Sequence, residues 1–519
     1  MSGIAPYHDA PHANISPPDT CAVVAAAFLI RHSSIYANDD EWEEYMSPFA
    51  ERIRKAQKEG TLRFPEDSPL AFLADWECPI NNDNLEKVTE PGIEDAYQLG
   101  KRFRDLYGSL MPPKNLGKKG HRHHGEGGKG RDRKKKEDGK QRRKDRSARA
   151  RRRERREARE AEKELEAERM KKPKVPFKVW SASSGRDVDT SKAWVRGAFP
   201  HWQEGRDGEG DSKVIKLVAV PNKDPNWSDS LTPHKICDAF TKEAGKPEAQ
   251  AWLNNYGPPI LERLNGLAEG VSFELNDVIA MQMLCGYETV INKSRTSPFC
   301  SNRLFQDDEF RAFGYWNDLH YHHFVGYGSK VAPYLGAQWL NVSTHNLLSA
   351  YGPKHPHPAP IPTTVAGKLA AFFFKSKLPA PTLPPNATHT QLLFPYFTHR
   401  EEPPVALVAL GIWNTTTEQL PTDVMPKDRL WKTSHLLPFL GHVAIERLSC
   451  DAAPGSRPGR RHRKEEYIRV MVNGAPQALG ECQDGPGDSC KMDEFAKFVE
   501  RRMDLYGDIK GACKKEDAA

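Results

Sequence analysis

Apolar residues in this chain are first bunched and then spaced. Residues 21–30, CAVVAAAFLI, form an unbroken apolar run with no helical period. Ten residues are too few to cross a bilayer, so the run reads as a central strand buried on both faces. From 39 to 58 (DDEWEEYMSPFAERIRKAQK) the pattern becomes helical, with Asp39 and Asp40 as caps. A second helix is predicted over 92–109, and a short strand, a Ser/Gly loop and a helix over 176–199. Residues 234–326 read as mostly helical, with ELNDVIAMQMLCGYETV and DDEFRAFGYWNDLHYHHFV as amphipathic helices. Residues 352–388 are a Pro-rich loop or linker. A strand at 391–398 leads through HREE into the helix PPVALVALGIWN, and strands near 440–449 and 466–473 precede a last helix near 493–505. With no internal repeat, the order predicts an α/β fold with a helical subdomain, roughly 235–350, between sheet segments.

One segment breaks this pattern. Residues 113–175 contain almost no large apolar side chains and cannot bury a core. Within them, 114–174 hold 27 Lys/Arg and 12 Asp/Glu, a net of +15, whereas the whole chain carries +6; the remainder is therefore acidic, at −9. The second half can form a solvated helix with i,i+4 Glu/Arg pairs. One reading makes the insertion a grip on a polyanion (nucleic acid, anionic lipid or polyphosphate) or a localisation signal. The preferred reading is a tolerated surface insertion without a specific partner. No aromatic residues interleave for base stacking, so specific nucleic-acid binding is not expected.

The 38% hydrophobic content, with 11 Trp and 22 Phe, supports a sizeable core. Nine cysteines form no CxxC and have no His at metal-ligand spacing, so neither a metal nor another cofactor is expected. Scattered cysteines and Asn-X-Ser/Thr acceptors at Asn14, Asn226, Asn292, Asn341, Asn386 and Asn414 favour a secreted glycoprotein. Residues 1–20 show no signal peptide and read as a flexible arm. Either export information lies outside this chain or the cysteines are reduced, and the first is preferred.

Three predicted strand-to-helix transitions carry polar groups: Arg31-His32, Arg186 in SASSGRD, and His399-Arg400-Glu401. Ligands in open α/β sheets bind outside the carboxyl ends of strands, where helix N-termini favour anions. Arginines, histidines and a carboxylic acid there suit phosphoryl transfer without a metal. The arginines hold equatorial oxygens, one His attacks in line, and the acid protonates the leaving alcohol.

With these residues the chain resembles the histidine acid phosphatase branch of the histidine phosphatase superfamily, and most of all fungal phytases. The family's Arg-His-Gly-x-Arg-x-Pro motif falls on Arg31-His32-Ser33-Ser34-Ile35-Tyr36-Ala37, its Ser loop and distal Arg on SASSGRDVDTSKAW, and its second His motif on FTHREEPPVALVALGIWN. The resemblance implies a phosphoglycerate mutase-like mixed sheet, split between 21–112 and 176–513. It also implies disulfides Cys21–Cys450, Cys237–Cys513, Cys285–Cys300 and Cys482–Cys490, with Cys78 left over. His32 is then the nucleophile that becomes phosphohistidine, and Arg31, Arg186 and His399 bind the phosphoryl group. Multiple inositol polyphosphate phosphatases place the acid two residues after the second His, which makes Glu401 the proton donor and Glu402 its fallback. The implied activity is hydrolysis of phytate or a similar phosphomonoester at acid pH, with substrate selection in loops around 304–332.

The chain departs from the family pattern at points that bear on activity. Ser33 replaces a Gly, Ile35 the second Arg, Arg400 a common Asp, and Trp180 stands where an Arg is frequent. Losing one arginine on a phosphoryl oxygen costs about 2–4 kcal/mol, or roughly a hundred- to thousand-fold in rate. Arg400, entering from the opposite motif, is the expected replacement as a phosphate ligand. The alternative is a pseudophosphatase of the same fold that binds anionic ligands without efficient turnover.

Overall fold

The computed structural model describes residues 3–112, 176–200, 214–223, 231–292, 296–349, 391–414, 419–451 and 464–515. The basic insertion 113–175 and the Pro-rich stretch 352–388 lie outside the described residues.

The bunched apolar run becomes β1 (Cys21–Arg31), buried from Ala25 onward. It sits inside a mixed sheet with β2 (Phe177–Ala182), β3 (Ile215–Val220), β4 (Leu393–Thr398), β5 (His442–Asp451), β6 (Lys464–Val472), β7 (Ala475–Gln477) and β8 (Cys490–Lys491). The strand order is β3-β2-β4-β1-β5-β6-β7, with β8 also on β6. β3, β2, β4 and β1 run parallel, and β5 to β8 complete the sheet antiparallel. β3 was absent from the sequence reading. Its short KLVAV core is partly exposed at the sheet edge and lacks the continuous apolar signature of β1.

A short turn (Asp39–Glu41) and a π-helical segment (Trp42–Met46) lead into α1 (Ser47–Glu59). Helix α2 (Glu90–Tyr107) is capped by Thr89, whose hydroxyl accepts from the Gly92 N–H. It crosses α3 (Gly185–Ala198) at two glycines: a Cβ on Gly100 would lie 2.1 Å from Trp194 O, and one on Gly197 1.9 Å from Tyr97 O. Only glycine permits this approach, and α3 thereby carries Arg186 close to the sheet. The helical subdomain contains α4 (Lys246–Asn265), α5 (Leu275–Ile291), α6 (Asp307–Phe324) and α7 (Ala332–Ser349). Helix α5 was expected to be amphipathic, yet every residue from Asp277 to Glu288 is buried, so it is a core helix. Most of the supposed specificity loop 304–332 is helix α6. Helix α8 (Glu402–Leu410), entirely buried, opens on Pro403 and Pro404, which fit the first turn because its N–H groups have no intrahelical partners. The final helix is α9 (Met492–Tyr506).

The disulfides are Cys21–Cys450, Cys237–Cys513, Cys285–Cys300 and Cys482–Cys490, with Cys78 free. They fit an extracellular protein. Of the glycosylation acceptors, Asn14, Asn292 and Asn414 are exposed. Asn341 is buried in α7 and is closed to modification in this fold. Among the described residues no helix is long and apolar enough to cross a membrane. The N-terminal arm, expected to be flexible, is laid against the sheet from Gly3 onward. Ile4 is buried, Ala10 N–H bonds Asn473 O, and Arg469 donates to Ser16 O and Ile15 O. Arg469 is itself held by buried Glu446, which also accepts from Tyr107.

Beside this arm, His442 sits among Tyr7, Phe28 and Phe103, with Nδ1 3.0 Å from Leu440 O. Burial pushes its pKa down from 6.5 to about 4, and the Leu440 contact only partly opposes this. Between those values the unfolded chain binds a proton that the folded chain refuses. The contribution is therefore intact above pH 6.5 and lost as pH falls toward 4. For this buried side chain the loss is about 3 kcal/mol. Urea titrations at both ends of that range should show His442→Gln losing less stability on acidification than the parent, by about this amount.

Candidate active site

The site is built where β1, β4 and β2 end side by side. Arg31 is opposite Thr398 and Ser181 opposite Phe397, so His32, His399 and the Ser183–Arg186 loop emerge on one edge. The His32 N–H donates to Thr398 O, and the two histidine rings stand 6.4 Å apart.

His32 is fully buried. Its Nδ1 lies 2.9 Å from Ser33 O. A carbonyl only accepts, so this bond places the proton on Nδ1 and leaves a lone pair on Nε2. Nε2 is buried and has no hydrogen-bond partner among the described residues. Burial first, then Arg31 and Arg186, hold the His32 pKa well below its ordinary value, so the ring is neutral. His399 is oriented from both sides. Its Nδ1 is 2.7 Å from Asp187 Oδ2, a close contact poorly aligned for a hydrogen bond, and its Nε2 is 3.3 Å from Ser184 Oγ.

Ser33 acquires a structural role in place of the family's Gly. Its N–H and its hydroxyl each lie 3.0 Å from Thr190 Oγ1, and Thr190 donates to Arg186 O at 2.7 Å. One hydroxyl thus ties the His32 loop to the first turn of α3. Ile35 is wholly buried and bridges to Val88, so the position of the second Arg is an apolar plug. Trp180 stacks on Tyr396 at 4.8 Å within the sheet.

The three arginines differ in what they touch. Arg31 is buried, donates from Nη1 to Gly3 O and Leu437 O at 2.5 Å each, and lies 4.4 Å from the centre of the Phe439 ring. Arg186 pairs with Glu86 at 2.5 Å. Arg400 was expected to offer itself to phosphate in place of the missing arginine. Its three guanidinium nitrogens instead meet carboxylates: Nη1 with Glu41, Nη2 with Asp40 and Nε with Glu401. Burial opposes the charge, but Asp40 and Glu41 raise the Arg400 pKa well above its usual value.

The acids divide their roles. Glu402 is bound to His234 Nδ1 at 2.6 Å and accepts from Thr398 Oγ1. Burial works against a charged His234, but Glu402 and then Glu401 more than offset it and raise its pKa. Burial would also push Glu401 up, yet His234, Arg400, His399 and Arg186 together drive its pKa far below the usual carboxylate range. Donor atoms of His234, Glu401 and Glu402 lie within 4.8 Å of one another and are already joined by the His234–Glu402 bond. Beyond Arg400 opens a small cleft, lined by Asp40, Glu41, Glu44, Lys246, Trp316 and Tyr321 among others. The α6 segment flagged for substrate selection therefore does face this opening, as a helix.

With the geometry in place, comparison with known proteins is informative. The model of the histidine phosphatase superfamily (branch 2) matches residues 164–473, which include Arg186 and the His399–Glu402 motif. The chain belongs to this family. Similar curated proteins are Phytase PHO112 of Candida albicans (27% identical, 64% of this chain and 58% of that protein) and Phytase A of Arthroderma benhamiae (26%, 61% and 64%). The matched stretch thus spans less than two thirds of either relative. The Schizosaccharomyces pombe thiamine-repressible acid phosphatase pho4 is 21% identical over 95% of this chain and 84% of its own. Among solved structures, the D. castellii phytase matches with a TM-score of 0.65 at 21% identity, over 98% of this chain and 86% of that one. The Bifidobacterium longum multiple inositol polyphosphate phosphatase complexed with inositol hexasulfate matches at 0.53 and 12% identity, over 95% and 96%. These structures establish the histidine phosphatase fold.

In this histidine phosphatase, His32, Arg31, Arg186, His399, Arg400 and Glu401 do gather in one place. The sequence reading missed Glu86, Asp187, Thr190 and His234. Asp187 directly follows Arg186 on the first turn of a predicted helix and could have been flagged; the other three are set by tertiary placement. Thr190→Val should leave the buried Ser33 N–H unsatisfied and lower stability by about 1–3 kcal/mol, measurable by chemical denaturation.

Proposed function

We propose that this chain is an acid phosphatase that hydrolyses phosphomonoesters through a phosphohistidine on His32. One observation carries the reading: a buried, neutral imidazole with an unpartnered Nε2, aimed by its own backbone bond and flanked by Arg31, Arg186 and His399. In the first step Nε2 attacks phosphorus while the ester oxygen departs with a proton. In the second, water attacks the phosphohistidine and releases inorganic phosphate. The names of the relatives, phytase and acid phosphatase, support the reaction class.

Glu401 is the proposed proton donor. Two of the cations that hold it ionised, His399 and Arg186, are the proposed phosphate ligands, so binding of a phosphoryl dianion there raises its proton affinity when a donor is needed. The cleft beyond Arg400 carries Asp40, Glu41 and Glu44 against Arg400 and Lys246. This balance suits an alcohol with few further phosphates better than a fully phosphorylated inositol. Four disulfides and exposed sequons support secretion.

A second reading, the pseudophosphatase, draws on buried Ile35 and on the complete engagement of Arg400 with carboxylates. Acid quench after mixing with radiolabelled aryl phosphate at about pH 5 separates the two. The hydrolase should trap label on His32 and turn over, and His32→Ala should lose at least about 10³-fold in rate. Glu401→Gln should cost about 10²–10⁴-fold on an alkyl phosphate and less on an aryl phosphate, whose leaving group needs no proton. Phosphate binding with no trapped label and no turnover would establish the second reading.

A further inference from the structure

Each arginine of the site has internal partners, but those partners differ in how firmly they are held. Arg31 is bound to two backbone carbonyls, of which Leu437 O is fully buried with it. Arg400 is enclosed by Asp40, Glu41 and Glu401, on side chains that are 24%, 15% and 8% exposed. Among the described residues Arg186 meets a single carboxylate, Glu86, whose side chain is 43% exposed while that of Arg186 is 9% exposed. Among them, too, buried Nε of Arg186 has no hydrogen-bond partner. Glu86 stands at φ 60°, in the left-handed region, at the end of the turn 81–87, with its N–H bonded to Ala37 O. The backbone therefore anchors Glu86 at the rim, and its side chain borders water.

A half-exposed ion pair is weak, whereas a phosphoryl dianion can take two guanidinium N–H groups at once. Arg186 also acts electrostatically on both His32 and Glu401, so what binds it acts at the reacting centre. We propose that Glu86 is a positioning residue that competes with phosphate for Arg186: the phosphoryl group enters by displacing its carboxylate, and the carboxylate returns as inorganic phosphate leaves. Glu86 thereby weakens phosphate binding and favours release of the product. This rests on the site being a phosphoryl site, as proposed above, but not on turnover.

The test is calorimetric titration of the full chain with inorganic phosphate at about pH 5.5. Glu86→Gln and Glu86→Ala should each tighten phosphate binding by about three- to tenfold, the range expected for removing a partly exposed charge pair. KM for an aryl phosphate should fall in parallel, while in an Arg186→Ala background Glu86→Gln should have no effect. Unchanged or weaker phosphate binding in both Glu86 variants overturns the proposal, and so does equal tightening without Arg186. Tightening in a protein that shows no turnover would retain this proposal and remove the hydrolase reading. Phosphate binding indifferent to Arg186→Ala would remove the phosphoryl site itself.

Discussion

The pairing of β1 with β4 is the constraint from which the site follows. The two strands run parallel from Ala26 opposite Leu393 to Arg31 opposite Thr398. Both are buried on both faces along this stretch, so a one-residue slip would move side chains between closely packed faces at high cost. The register therefore dictates that His32 and His399 emerge together, and that the His32 amide finds Thr398 O. β2, on the far side of β4, adds the loop that starts α3. The antiparallel half of the sheet, stapled to β1 by Cys21–Cys450, keeps the other flank fixed.

Around this edge, the electrostatics favour a neutral imidazole at His32 among cationic side chains. The same burial that makes a charged imidazole costly at His32 strengthens the pull of nearby cations on Glu401. Arg400 is enclosed by three acids at the mouth of the cleft, whereas Arg31 meets backbone carbonyls and Arg186 a partly exposed carboxylate. Under the proposed function, binding of an anion and ionisation of the acid are coupled through charge.

Much of this was legible in the chain. The unbroken run at 21–30 identified β1, and the polar clusters at strand ends marked His32, Arg186 and His399 because strand ends are where open sheets present side chains. The cysteine pairing was legible only through resemblance, since spacing cannot choose among so many combinations. What escaped was set by contact between distant segments. KLVAV at 216–220 carries no strong period, because an edge strand is only half covered. Asn341 sits in a valid sequon yet lies inside a helix packed against the sheet. Arg400 looked free to bind phosphate because Asp40 and Glu41 are about 360 residues away in sequence, and Glu86 was invisible for the same reason.

The pairing of β1 also has a temporal consequence. Both neighbours of this first strand come from the last third of the chain, and its Cys21–Cys450 bridge closes 429 residues of separation. During synthesis β1 must therefore wait, unpaired on both edges, until β4 and β5 have been made. Such long-range closure makes folding slow and leaves an aggregation-prone segment exposed in the interval. Because His32 and His399 meet only on that closure, a partly synthesised chain has no assembled site, and the site arrives with the pairing of β1 and β4.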